Sequence, residues 1–217
     1  MATLAETGDT FAMGRALGVL VVLALASAAP AHADVLVFYG DLHAGGMYGK
    51  GLSGEQKDKA FFATAPNGVY GVSLAARLLF LGAQIQHHQY TNGSDLSTWT
   101  QLIAGTDIDA DVGPGQDEHQ SGFFTVGLGL GLGLGTGQQV DPPLSNDQIT
   151  DKAFLVEGRI GGGKHFGKFV DLGVVVPVHW GYFLKSGNGA AANDLSTHYQ
   201  GMGAEALLFL RLNLKVL

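Results

Sequence analysis

The 217-residue chain contains no cysteine, which removes disulfides and thiolate chemistry from consideration. It also lacks an excess of base. Lys and Arg number 12 against 19 Asp and Glu, a formal charge of −7, and this argues against a nucleic-acid partner. After Ala33 no stretch approaches the ~20 consecutive apolar residues of a helical membrane span. No motif that identifies an enzyme stands out, and no cofactor is called for. Stability must therefore come from the backbone ladder and from packing.

What is present begins with the N-terminus. Ala16 to Ala29 is an uninterrupted apolar stretch after Arg15, and Ala31-His-Ala33 has the small-x-small form of a signal-peptidase site. Residues 1–33 are read as a signal peptide cleaved after Ala33. The first twelve residues carry Glu6 and Asp9 and no positive charge, so Met13 is an alternative start. Cleavage leaves residues 34–217 as one domain, with 11 of the 12 basic and 17 of the 19 acidic side chains and a charge of −6.

Within that domain the run from Phe124 to Gly137 places bulky apolar residues on every second position. Phe124, Val126, Leu128, Leu130, Leu132 and Leu134 share one face of an extended strand, and Gly127, Gly129, Gly131, Gly133 and Gly135 share the other. Leucines outside and a crowded interior suit a narrow barrel in lipid.

The same period of two recurs in about eight segments. They begin near Val35–Gly45, Val69–Arg77, Leu81–His88, Gln101–Val112, the Leu-Gly run, Ala153–Gly162, Phe169–Leu184 and Met202–Val216. Most meet the roughly 9–11 residues a tilted strand needs to cross a bilayer. Backbone groups in hydrocarbon must all be paired, so the sheet has to close on itself. The expected fold is all-β, an eight-stranded antiparallel up-and-down transmembrane β-barrel. Pro177 falls inside the seventh segment and predicts a bulge or a missing ladder bond.

Alternation from a periplasmic N-terminus makes 46–67, 91–98, 138–151 and 186–197 extracellular loops. It makes 78–80, 113–120 and 162–168 periplasmic turns, with Gly161–Gly167 reading as a turn. Phe38, Tyr90, Phe124, Phe154, Trp180 and Tyr182 sit near strand ends, where interface girdles belong.

With its alternation, glycine content, export signal and long terminal strand, the chain resembles the small eight-stranded outer-membrane β-barrel superfamily, which includes OmpA-like and OmpX-like barrel domains. The resemblance implies the outer membrane of a Gram-negative bacterium. It also implies contact with outer-membrane lipid and lipopolysaccharide, and delivery by the barrel-insertion machinery. Family members usually end on an aromatic residue in phase with the outward positions. Here that phase ends at Val216, one residue before the terminal Leu217.

Asp41, Arg77, Asp107, Asp109, Asp111, Glu157, Arg159, Asp171, His179, Glu205 and Arg211 all have inward parity. Such charges are tolerable only when paired or hydrated. An eight-stranded interior is just wide enough to be filled by side chains, so the expected lumen is a packed polar network in a structural or surface-binding protein whose loop ligand the sequence does not name. Its rivals are a narrow, weakly cation-selective pore and a lipid A deacylase-like enzyme. Asp107, Asp109, Asp111 and Glu118 have the 1, 3, 5 and 12 spacing of a calcium loop, but Val112 stands where the turn wants glycine. Asp194, Ser196 and His198 bring three catalytic residue types to one strand start, in the reverse of the order that deacylases use. The expectation is neither a metal site nor a catalytic one. A secreted soluble β-barrel is the main alternative fold.

Overall fold

A computed structural model describes residues 36–53, 67–92, 95–112, 121–137, 149–187 and 198–216. The expected signal peptide, residues 1–33, lies outside the described residues. The strands are β1 (Leu36–Ser53), β2 (Asn67–Leu78), β3 (Leu81–Asn92), β4 (Asp95–Val112), β5 (Gly122–Gly137), β6 (Ile149–Phe166), β7 (Val170–Gly187) and β8 (His198–Lys215).

Each strand pairs antiparallel with its sequence neighbour, and β1 pairs with β8 from Val37↔Lys215 to Ser53↔Gln200, closing the barrel. Closure leaves no edge, so every strand finds ladder partners on both sides. Following the register from Leu36 through Leu78, Leu81, Thr106, Leu128, Gly158, Val178 and Ala204 returns to β1 at Tyr48, 12 residues along (48 − 36). With ordinary strand rise and spacing, that stagger tilts the strands by about 45°. It also widens the lumen enough to take large side chains.

The alternation is sorted as the leucines suggest. Leu74, Leu128, Leu130, Leu208 and Leu212 are 61–66 % exposed, while Phe123, Thr125, Gly127, Gly129, Gly133 and Gly135 of β5 are buried. An apolar belt running round all eight strands is far more than a soluble monomer carries in patches, and it makes this a transmembrane barrel. Tyr48, Tyr70, Phe154 and Trp180 are exposed toward one rim, and Phe38, Phe80, Phe124, Phe166 and Phe169 toward the other. The first rim is where residues 54–66, 93–94, 138–148 and 188–197 connect the strands, here the loop end. The second is the turn end.

Several boundaries differ from the sequence reading. Gly161–Phe166 is ladder and not turn, because it pairs with Val170–Val175 and only 167–169 turn the chain. Residues 46–53, 95–98 and 149–151 are likewise strand. Cross-strand hydrogen bonding overrides weak local preference there. Tyr90 is not in a girdle: it points inward and is 4 % exposed. The β7–β8 register has no partners for Val176 and Pro177 and resumes in phase at Val178↔Ala204. Proline's missing N–H thus interrupts the ladder without a bulge.

Candidate functional site in the barrel lumen

The lumen is built from inward positions that were too uniform in parity to be accidental. All eleven charged or histidine residues expected inside face it, and they form connected groups rather than isolated pairs.

At mid-height the contacts make a closed ring. His43 Nε2 lies 3.6 Å from Asp41 Oδ2, and His43 Nδ1 is 2.9 Å from His88 Nε2. His88 Nδ1 is 3.2 Å from Glu205 Oε2, whose other oxygen is 3.6 Å from His179 Nε2. His179 Nδ1 meets Glu157 Oε2 at 3.2 Å, and Arg159 Nε meets Glu157 Oε1 at 3.4 Å. Arg159 donates to Gln84, Gln84 to Ser73 Oγ at 2.8 Å, and Ser73 to Asp41 at 3.4 Å. The His43–His88 contact requires one proton between two nitrogens, so one imidazole donates and the other accepts. The two rings therefore form one hydrogen-bonded pair between Asp41 and Glu205.

Further groups brace this ring. Arg211 forks onto Asp41 at 2.8 and 3.1 Å and lies 4.0 Å over the Tyr39 ring. Tyr90 donates to Glu205 at 2.8 Å, and Gln101 donates to Gln86 at 2.9 Å and to Glu157 at 3.1 Å. A cavity of about 20 Å3 beside Asp41, Glu157, Arg159 and Arg211 has room for about one water.

Above the ring, Met47, Val69, Tyr90, Trp99, Leu155 and Phe183 belong to one buried apolar cluster that fills the lumen toward the loop end. Trp99 and Phe183 meet at 5.8 Å between centroids. Below the ring the network opens toward the turn end. Arg77 binds Asp109 at 2.5 Å, and His165 sits 2.6 Å from Asp171 and 3.3 Å from Asp111, whose side chain is 61 % exposed.

The glycines of β5 explain how such bulk fits. A Cβ on Gly133 would stand 2.0 Å from Trp99 Cζ2, one on Gly129 2.4 Å from Ile103 Cγ2, and one on Gly127 2.8 Å from Arg159 Cγ. The bare face of the Leu-Gly strand is the floor on which these side chains lie.

Asp107, Asp109 and Asp111 do share the inward face of β4, but they go to different partners. Asp107 accepts from Tyr39 at 2.9 Å and Thr125 at 3.3 Å, Asp109 from Arg77, and Asp111 meets His165. Alternate residues on a strand stand about 6.5–7 Å apart. Among the described residues no group of three or more His, Asp or Glu side chains is arranged to hold a metal ion. Glu118, Asp194 and Ser196 lie outside the described residues. His198 opens β8 and stacks on Tyr182 on the outer wall. His87 points outward to Thr100, at 2.7 Å, while His88 points inward.

Sequence reasoning singled out the charges and missed their uncharged partners, Tyr39, Ser73, Gln84, Gln86, Tyr90, Trp99 and Gln101, as well as His43 and His88. The signal was available: each has the inward parity of its strand.

No known family's sequence profile matches the chain, and no curated protein matches it. Among solved structures, the crystal structure of Neisserial surface protein A (NspA) is similar at a TM-score of 0.49 and 14% identity, over 83% of this chain and 97% of that one. A resemblance so distant assigns the chain no role.

Proposed function

We propose that the chain is an integral outer-membrane β-barrel of a Gram-negative envelope, exported by its leader and inserted by the barrel-insertion machinery. Its lumen is a packed plug rather than a conduit. Its role is structural, or one of surface binding through the connections at the loop end.

The observation that carries this reading is the stacking order inside the barrel. A ring of ion pairs and hydrogen bonds fills mid-height, and an apolar layer around Trp99 and Phe183 lies between that ring and the loop end. Ions do not cross a dry apolar constriction. The lipid-facing belt supports a membrane location, since backbone-satisfied closed barrels are the β-architecture that bilayers accept. The rival is a narrow cation-selective pore, favoured by the excess of lumen carboxylates over arginines.

The test is electrophoretic mobility of the detergent-extracted protein with and without boiling, followed by planar-bilayer conductance. A heat-dependent shift with recovery in the outer-membrane fraction, and no resolved conductance steps, is expected. Reproducible cation-selective steps would replace the plug by the pore. Recovery in the soluble periplasm without a shift would overturn the membrane assignment.

A further inference from the structure

For an acidic chain, the outer wall is charged in an unexpected sense. Among the described residues, every carboxylate on a strand has inward parity, from Asp41 on β1 to Glu205 on β8. The ionic side chains facing outward from strands are Lys50, Lys152 and Lys164, joined by the imidazoles of His87 and His198. A lone cation on a lipid-facing wall is costly unless it stands at the headgroup level.

The cations at the loop end are grouped. The register places Lys152 of β6, Leu184 of β7 and His198 of β8 side by side, so the two basic positions are about 10 Å apart across one intervening strand. Lys50 of β1 stands beside Met202 of β8. Phe154, Trp180 and Tyr182 lie on the membrane side of this arc, two or four residues along the same strands. The His198 imidazole is held flat on the Tyr182 ring, 5.6 Å between centroids and 25° between planes. Across the barrel, β3 and β4 present Gln89, Thr98 and Thr100 on that side of the belt.

We propose that the outer wall of β6, β7 and β8 at the loop end is a binding site for the phosphate of an anionic glycolipid in the surrounding leaflet. Lys152 and His198 reach the phosphate from either side. Tyr182 orients the imidazole, and Phe154 and Trp180 face the boundary between the lipid's sugar and acyl regions, where amphipathic and aromatic rings settle. Lys50 flanks the site. An ammonium near an anionic lipid surface gains a few-fold in affinity, and an imidazole N–H donated to the same phosphate adds to that gain. This assignment rests on the outer-membrane reading, which puts the loop end in the leaflet of phosphorylated glycolipid.

The experiment uses the full chain refolded in detergent micelles and shown to be folded by its heat-dependent shift. Retention of a bis-phosphorylated, acylated glucosamine disaccharide is then compared by native mass spectrometry with retention of its dephosphorylated form. Wild type should retain the phosphorylated lipid preferentially. Lys152→Gln with His198→Gln should cut that retention roughly tenfold, and Lys152→Glu alone should cut it as well. Lys164→Gln, at the turn end, should leave it unchanged. A shifted, folded wild type that holds both lipids equally, or a double variant that retains as much as wild type, overturns the site and leaves the barrel reading intact. A wild type without the heat shift overturns both.

Discussion

Arg211 ties β8 to β1 inside the lumen. It forks onto Asp41 and covers Tyr39, with Phe209 5.1 Å from its guanidinium carbon. Removing it strands a carboxylate that is 4 % exposed, and breaking a buried pair from one side costs about 3–5 kcal/mol. Arg211→Met should therefore lower the unfolding free energy, read from urea titration of the barrel refolded in lipid vesicles, by that amount. Adding Asp41→Leu should restore most of it, since replacing both partners by apolar groups is often close to neutral. Arg211→Lys should recover only part of the loss, because an ammonium has neither the fork nor the stacking plane. A single Met variant as stable as wild type would mean that Asp41 is already satisfied by His43 and Ser73.

At the scale of one element, β5 separates the two uses of glycine in this barrel. Inward glycines on β5 are there because other strands' side chains lie on them, whereas the outward Gly158 of β6 has nothing within 4 Å of where a Cβ would be. Gly133→Ala drives a methyl into Trp99 and should destabilise the barrel by about 1–3 kcal/mol through overpacking. Gly158→Ala should be near neutral in the same unfolding experiment. Trp99→Leu combined with Gly133→Ala should recover stability relative to Gly133→Ala alone if the clash is the cause. Equal behaviour of the two alanine variants would remove the packing account of the Leu-Gly run. The β2–β3 turn is a second local feature of note: Leu79 has φ of +57°, a left-handed conformation that costs a leucine about 1–2 kcal/mol.

For the whole molecule, the charged network reaches toward the turn end while the larger apolar cluster lies toward the loop end, and the proposed plug rests on that order. Trp99 and Phe183 are 2 % and 0 % exposed and form the bulk of the apolar layer. Trp99→Ala with Phe183→Ala should open a water path from the loop end to the ring of Glu157, His179 and Glu205. In a variant that keeps its heat shift, this should appear as cation-selective conductance steps absent from wild type. Their absence would place the barrier in the polar ring itself.

The strands were legible because burial on a sheet repeats every two residues, and Leu128 to Leu134 against Gly127 to Gly135 leave no other period. Strand ends were less legible. Gly161-Gly-Gly163 reads locally as a turn, yet it is held in β6 by Gly173 to Val175 of β7 and by Phe123 to Thr125 of β5. Tyr90 shares parity with His88, but an aromatic near a strand end suggests a girdle unless the lumen itself turns apolar there. The amino-acid order by itself determined which side chains face in and which face out, because parity is a property of the strand alone. Only the closed tertiary structure decided who meets whom across the lumen. His43 finds His88 45 residues away and Asp41 finds Arg211 170 residues away, because the 12-residue stagger of the closing register sets the height at which each inward side chain stands.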